Sequence, residues 1–191
     1  LVTIGTYGSG RATINSGSKR GLDIAQTAGF SVSNINFVGN GMNSNSAEGI
    51  DLHIDFSNKN VSTFKVNNVN VSGYGHEGIR IMVDGSNSSV NNVSITNTVT
   101  HDNLWNGVKI TGDKNYSLNN YTLDHVTAYN NYGTKSVHDV TGSGIFMADV
   151  NGGLINRCIA YNNGKDGAAP VGIWSSGSNR VTIQFCESYN N

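Results

Sequence analysis

Proline, cysteine and charged residues are all scarce in this chain. Its 191 residues include one proline and two cysteines, and only 13% are charged. The formal net charge is −1. The chain therefore lacks the excess of basic residues that is typical of a protein that binds nucleic acid or an anionic membrane. No apolar run approaches the ~20 residues of a membrane span, and disordered chains are usually charged and rich in proline. The sequence therefore predicts an ordered domain whose partners are neither nucleic acid nor membrane.

Glycine is abundant instead, with 24 copies, and asparagine is more frequent still. Six of the glycines recur at nearly constant spacing, with one longer interval, and an aliphatic residue follows each of them. These repeat glycines are Gly21, Gly49, Gly78, Gly107, Gly144 and Gly172. A nearly fixed period of this kind is typical of a repeat architecture.

Each repeat contains short runs of alternating apolar and polar residues between Asn, Gly and Ser turns, which is a strand pattern. Asn103, Asn131, Asn163 and Asn191 end four successive repeats at one position. In a solenoid these amides would form a ladder, each bonded to the next. The sequence therefore predicts an all-β parallel β-helix of about six coils. Most coils would have about 28–29 residues, a period within the range of known solenoids, and one would be longer.

The coil pattern, the Asn ladder and the opening segment TYGSGRATI at positions 6–14 resemble the right-handed parallel β-helix superfamily. Its members include pectate lyases, many glycoside hydrolases, mannuronan epimerases and phage tailspikes. The resemblance covers the whole chain and implies a secreted, carbohydrate-active protein outside the cell or on its surface. The Asp-Pro-His-Glu run of alginate epimerases is absent, and His76-Glu77 is only a fragment of it.

Residues 1–191 are expected to form one β-helix domain, and we interpret this domain as a section of a longer β-helix. The chain begins on a predicted strand and stops inside the ladder motif, with no predicted cap at either end. Oligomeric state is left open, with a trimer as one alternative because tailspike-like relatives trimerise.

The two cysteines, Cys158 and Cys186, are separated by the length of one coil. They are predicted to stack and to point inward. Adjacent coils bring such Cα atoms within the range of a disulfide, although parallel stacked side chains rarely offer its torsion. We therefore interpret the pair as two buried thiols, with a disulfide as the alternative.

The second residue after each repeat glycine is predicted to point outward. These six residues, here called the outer column, are Asp23, Asp51, Arg80, Lys109, Phe146 and Trp174. Long loops precede three of the glycines, at 39–48, 131–143 and 164–171, and should rise beside the column. Aromatic faces stack on sugar rings, while cations pair with hydroxyls or carboxylates. The predicted substrate-binding residues are His53, Arg80, Lys109, Trp105, Phe146, Trp174 and His138. The opposing interpretation is a solvated face on which Asp51 and Arg80 merely offset each other's charge.

Acidic residues and histidines concentrate near the same loops. Glycoside hydrolysis needs two carboxyl groups about 5–5.5 Å apart for retention or about 6.5–9.5 Å for inversion. Asp51 with Glu77, or Asp102 with Asp139, are the candidate pairs. A lyase would instead use Arg80 or Lys109 beside a histidine. The predicted catalytic residues are Asp51, Glu77, His76, Asp102, His101 and Asp139.

No cofactor and no metal site are predicted. Asp55, Asp84 and Asp113 share one offset from their repeat glycines, so calcium bound between rungs is an alternative, but the residues around them are typical of ordinary turns. The leading hypothesis is a protein that binds an extended polysaccharide and cleaves it as a glycoside hydrolase or polysaccharide lyase. The rival is a non-catalytic solenoid, such as an adhesin stalk or a tailspike-like shaft.

Overall fold

The computed structural model describes residues 1–112, 118–137, 139–167 and 170–191, which form twenty strands and no helix. The strands are numbered β1 to β20 in chain order and form three sheets, in which each strand pairs in parallel with strands of the adjacent coils. The molecule is a parallel β-solenoid of about six turns, as the repeats predict. Within the described ranges no helix is long and apolar enough to cross a membrane.

Each coil contributes one strand to each sheet, in the same order every time. The first sheet contains β1 (Val2–Gly5), β4 (Phe30–Ser33), β7 (Asn60–Asn67), β10 (Ser89–Thr96), β13 (Leu118–Asp124), β16 (Val150–Asn156) and β19 (Asn179–Gln184). The second contains β2 (Ala12–Gly17), β5 (Ile35–Gly39), β8 (Asn70–Ser72), β11 (Val99–His101), β14 (Thr127–Tyr129), β17 (Ile159–Tyr161) and β20 (Glu187–Tyr189). The third contains β3 (Leu22–Ala25), β6 (Ile50–Ile54), β9 (Ile79–Val83), β12 (Val108–Thr111), β15 (Ile145–Ala148) and β18 (Ile173–Ser176).

The core runs along the axis of the solenoid between the three sheets. In β9, Ile79, Ile81 and Val83 are buried, while the residues between them point away from the axis. β-Branched and aliphatic side chains suit such a pleated surface. Each coil therefore buries its apolar face against its own opposite sheets and against the neighbouring coils.

The repeat glycines stand where successive coils approach closely, and this explains their recurrence. A Cβ atom added at Gly107 would lie 2.6 Å from the carbonyl oxygen of Gly144 and 2.9 Å from the Cβ of Ala128. Real Cβ atoms essentially never show contacts this short. The glycines thus let each coil enter the third sheet without pushing its neighbour away.

The predicted Asn ladder is present, and three of its members, Asn103, Asn131 and Asn163, are buried. The Nδ2 of Asn103 donates to the Oδ1 of Asn131 at 3.0 Å, Asn131 donates likewise to Asn163 at 2.9 Å, and Asn163 to Asn191 at 2.8 Å. Each of these amides also bonds backbone groups of adjacent turns, as when Asn163 donates to the carbonyl oxygen of Ala128 at 3.0 Å. The ladder therefore pairs turn groups that water cannot reach.

A second ladder, of aromatic rings, lies at the end of the second sheet. His101, Tyr129, Tyr161 and Tyr189 stack with ring centroids 4.8, 5.0 and 5.2 Å apart and with planes within 7° of parallel. His101 occupies the position that tyrosine fills in later coils, because both residue types offer a flat ring to the stack.

The cysteines stack as predicted and are free thiols. Cys158 is buried and Cys186 is half-buried, and the backbone N–H of Cys158 approaches the Sγ of Cys186 at 3.4 Å. Burial raises the pKa of Cys158 to about 12. The pair therefore packs as two small apolar side chains.

Candidate functional site

The outer column is in register along the whole third sheet. Asp23 pairs with Asp51, Asp51 with Arg80, and Arg80 with Lys109. Lys109 pairs in turn with Phe146, and Phe146 with Trp174. The chain thus places six side chains of five residue types in one line, about 4.8 Å apart per coil.

The loops that precede the third sheet cover much of this line. They connect second-sheet strands to third-sheet strands, so the three long insertions rise at the same edge, as expected. The side chain of Asp51 is only 1% exposed and Lys109 only 10% exposed. The column is therefore less open than the predicted groove, because loop side chains pair with its charges.

Asp51 and Arg80 form a bidentate ion pair. The Nε and one terminal nitrogen of Arg80 donate to the two carboxylate oxygens of Asp51, each at 2.8 Å. Another terminal nitrogen lies 2.7 Å from Oε1 of Glu48, a side chain that is only 2% exposed. Burial lowers the pKa of Arg80, but the hydrogen bond and charge of Asp51 outweigh burial and raise it.

Glu48 also binds Arg20, whose Nε donates to its second carboxylate oxygen at 2.7 Å. Arg20 reaches outward to Asp23 at 3.1 Å. Burial raises the pKa of Glu48, but hydrogen bonds from His76 and Arg20 and the charge of Arg80 lower it to about 2. Glu48 is therefore a carboxylate held in its ionised form.

Glu77 has the opposite environment. Its side chain is fully buried, and neither carboxylate oxygen has a hydrogen-bond partner among the described residues. The nearest cation is the Nζ of Lys109, 3.6 Å from Oε1, and Lys109 bonds Asp139 instead. Burial raises the pKa of Glu77, and the charge of Lys109 offsets this only in part.

We call this set of paired residues the charge cluster. It consists of Arg20, Asp23, Glu48, Asp51, His76, Glu77, Arg80, Lys109 and Asp139.

Aromatic rings flank the charge cluster on two sides. His76 stacks on Trp105 with centroids 4.1 Å apart, and its Nδ1 faces Oε1 of Glu48 at 3.4 Å. Farther along the outer column, Phe146 stacks on Trp174 with centroids 4.7 Å apart. Both tryptophans are half-buried, and Nε1 of Trp174 has no hydrogen-bond partner among the described residues. Two partly exposed aromatic surfaces therefore lie along one face.

Other predicted site residues lie outside the cluster. His101 and Asp102 bond each other at 2.7 Å, with His101 held in the aromatic ladder. His53 bonds Asp84 at 3.0 Å. His138 lies outside the described residues.

The described aspartates of the calcium alternative have separate polar partners. His53 bonds Asp84, and the side-chain amide of Gln26 donates to Asp55. Asp113, the third member of this acidic column, lies outside the described residues.

Arg20 and Glu48 are not among the site residues predicted from the sequence, although a signal for both exists. Each directly precedes a repeat glycine, as Glu77 does. This position also stacks from coil to coil, because the N–H of Gly49 donates to the carbonyl oxygen of Glu77 at 3.0 Å. Counting one residue back from the glycines would have placed Arg20, Glu48 and Glu77 in one column.

A cavity of about 460 Å³ opens beside the cluster at its Arg20 end. Lys19, Arg20, Asp23 and Ser46 contribute to its lining. A second cavity, of about 500 Å³, lies away from the cluster among the last coils, where Lys165 stands 5.5 Å above the ring of Tyr132. Of the two, only the first adjoins the paired carboxylates.

Comparisons of the chain with models of protein families, with curated proteins and with solved structures found no match. The resemblance to parallel β-helix proteins is supported only by the fold, which is an all-parallel β-solenoid of about six turns. A solenoid of this kind hosts many unrelated activities, so function has to be argued from the site.

Proposed function

We propose that this protein binds an extended polysaccharide along the outer column and cleaves it at the charge cluster. The observation that carries the proposal is the register of the column, which joins the paired charges to the stacked Phe146 and Trp174. Five steps of about 4.8 Å make the column about 24 Å long. This length suits a polymer better than a small molecule.

The chemistry of the column supports a glycan as the polymer. Sugar rings present C–H faces that stack on aromatic rings, and Trp105 and Trp174 each leave part of a ring accessible. Arginine and lysine bind hydroxyl or carboxylate groups through charge-assisted hydrogen bonds. Extracellular location is part of this proposal, because polymers of this kind lie outside cells.

Cleavage would use the residues at the centre of the cluster. A ligand oxygen of Glu48 and one of Glu77 lie within 4.8 Å of each other, a pair that differs from the predicted pairs Asp51 with Glu77 and Asp102 with Asp139. Hydrolysis with retention places two carboxyl groups about 5–5.5 Å apart. Elimination would instead require a base such as Lys109 or His76 beside a cation such as Arg80. The chemical form of the products separates these two routes.

One observation favours a second candidate, a non-catalytic structural solenoid. Asp51 and Glu77 are buried, and Asp51 is fully engaged by Arg80. A cluster of this kind can simply join loops to the third sheet. In that case the outer column would have no ligand.

Affinity electrophoresis in gels that contain neutral or uronic-acid polysaccharides tests the binding proposal. Migration should be retarded by at least one polysaccharide, and Trp174→Ala with Trp105→Ala should weaken the retardation at least about tenfold. This corresponds to a loss of about 1.4 kcal/mol, which is within the range of aromatic stacking. Arg80 is unsuitable for this test, because its removal would leave buried carboxylates unpaired.

The matched control is Phe56→Ala with Lys59→Ala, which removes an exposed aromatic and a cation away from the column. Retardation should be unchanged in this control. Equal retardation of the wild type and the double tryptophan variant would remove the proposed binding face.

A further inference from the structure

The buried carboxylate of Glu77 requires a physical explanation. A buried ionised group is costly unless it is paired and hydrogen-bonded, and buried polar groups in folded proteins nearly always have partners. Glu77 is 0% exposed and neither of its oxygens accepts a hydrogen bond from the described residues. The 3.6 Å separation from Lys109 is too long for a hydrogen bond.

Two further potential metal ligands lie beside it. One ligand atom each from Glu48, His76 and Glu77 lie within 4.8 Å of one another. Nδ1 of His76 is 3.4 Å from Oε1 of Glu48. Tetrahedral ligands at bond lengths of about 2.0–2.2 Å are separated by roughly 3.3–3.6 Å. Only a small movement of Glu77 would therefore bring all three atoms to coordination distance.

The charge balance of the cluster also suits a cation. Its five carboxylates and three basic side chains have a formal sum of −2, with His76 neutral. A divalent ion would neutralise the cluster. Arg20 and Arg80 already bond the two carboxylate oxygens of Glu48. Glu48 would therefore bind the metal through a lone pair that the arginines leave free.

We propose that Glu48, His76 and Glu77 bind a divalent transition-metal ion, with Zn²⁺ as the best match. Imidazole is a good ligand for zinc, whereas Ca²⁺ and Mg²⁺ prefer oxygen ligands. Three protein ligands leave a fourth position open. His76 is one-third exposed, so the ion can reach the site from the surface beside Trp105.

This inference does not depend on the glycan proposal. The two proposals nevertheless constrain each other, since carboxylates that hold a metal ion cannot also transfer protons as an acid–base pair. Zinc binding would thus assign acid–base work in cleavage to other residues of the cluster.

Calorimetric titration of the metal-free 191-residue chain with Zn²⁺ tests the site. We expect one saturable site per chain that is lost in Glu77→Gln and in His76→Ala. Because exposed His125 with its partner Asp124, and the thiol of Cys186, could also take zinc, His125→Ala and Cys186→Ser are the controls. Both controls should keep the saturable site.

X-ray absorption at the zinc edge should show nitrogen and oxygen ligands without the sulfur distance of about 2.3 Å. If Glu77→Gln does not fold, zinc binding by His76→Ala tests the site, because His76 is partly exposed and its loss should leave the fold intact. Absence of saturable binding in the wild type, or binding that survives in His76→Ala, would overturn the proposal.

Discussion

Arg80 forms ion pairs with two buried carboxylates of the charge cluster. It bonds both oxygens of Asp51 and lies 2.7 Å from Glu48. Removal of one partner from a buried ion pair typically costs about 3–5 kcal/mol, because the remaining charge stays buried. We expect Arg80→Ala to lower the free energy of unfolding by about this amount, measured by urea denaturation.

The control for this prediction is Arg157→Ala. Arg157 is 54% exposed and lies 3.7 Å from Asp124, so its loss should change stability by less than about 1 kcal/mol. If the two substitutions have equal effects, the buried pairs do not stabilise the fold as argued.

Cys158 gives a prediction about reactivity and pH. The thiolate is the reactive form, and burial raises the pKa of Cys158 from 9.0 to about 12. At pH 8 about one molecule in ten thousand would carry the thiolate. Mass spectrometry after brief treatment with iodoacetamide should show Cys186 modified long before Cys158, while the denatured protein should react at both.

The same shift has a consequence for stability. Between pH 9 and pH 12 the unfolded chain loses the Cys158 proton while the folded chain keeps it. Stability contributed by this thiol should therefore fall as pH rises through that window. Cys158→Ser should show a shallower decline over the same pH range, and an identical pH dependence would contradict this account.

Single residues also show which features of the site could be predicted from the sequence and which could not. Counting forward from the glycines correctly predicted that Asp51, Arg80 and Lys109 share a column. It did not predict their burial, because burial depends on loop side chains that arrive from other coils. Glu48 was missed because the residues directly before the repeat glycines were not compared from coil to coil, and its partners Arg20 and Arg80 belong to the coils before and after it.

Among the repeated elements, the Asn ladder should contribute strongly to stability. Asn131 bonds Asn103 and Asn163 and also donates to the carbonyl oxygen of Thr100. Each buried group left unpaired costs about 1–3 kcal/mol. Asn131→Ala should therefore lower the free energy of unfolding by at least about 2 kcal/mol in urea denaturation. Asn43→Ala, at an exposed turn, should have little effect.

The repeat glycines make a second prediction about the elements. A methyl group at Gly107 would meet the carbonyl oxygen of Gly144 and the hydroxyl of Thr100, both at 2.6 Å. Overpacking typically costs about 1–3 kcal/mol. Gly107→Ala should lower the free energy of unfolding by that amount, measured by thermal unfolding. A Cβ atom at Gly29 would meet no atoms within 4 Å, but φ there is +88°, so Gly29→Ser measures the effect of backbone conformation alone.

Strand elements were largely predictable because alternation and period were both present in the sequence. Bends within the long first-sheet strands were not. Thr63, Asn92 and Asn120 have positive φ angles in the middle of β7, β10 and β13. The apolar alternation shifts phase at these residues, as between Val90 and Val93 in β10. Such a shift also occurs where a strand ends, and asparagine is frequent in the turns between strands. Their alignment across coils became visible only in the fold.

On the scale of the whole molecule, the solenoid places residues that are a full coil apart in the sequence in one line. Each coil is stabilised by its neighbours, so the outer column and the ladders extend through several coils. This arrangement explains how a chain with few charged residues can assemble nine of its titratable side chains into one cluster. It also explains why the fold was predictable while the ligand has to be argued from the site.

The most direct test of the proposed function is mass spectrometry of the products formed from a panel of neutral and uronic-acid polysaccharides. The proposal predicts fragments from at least one polysaccharide, and their release should fall by at least about tenfold in the double tryptophan variant. Added water in the fragments would indicate hydrolysis, while unsaturated ends would indicate elimination. Absence of both fragments and retardation across the panel would contradict the proposal and leave a structural solenoid.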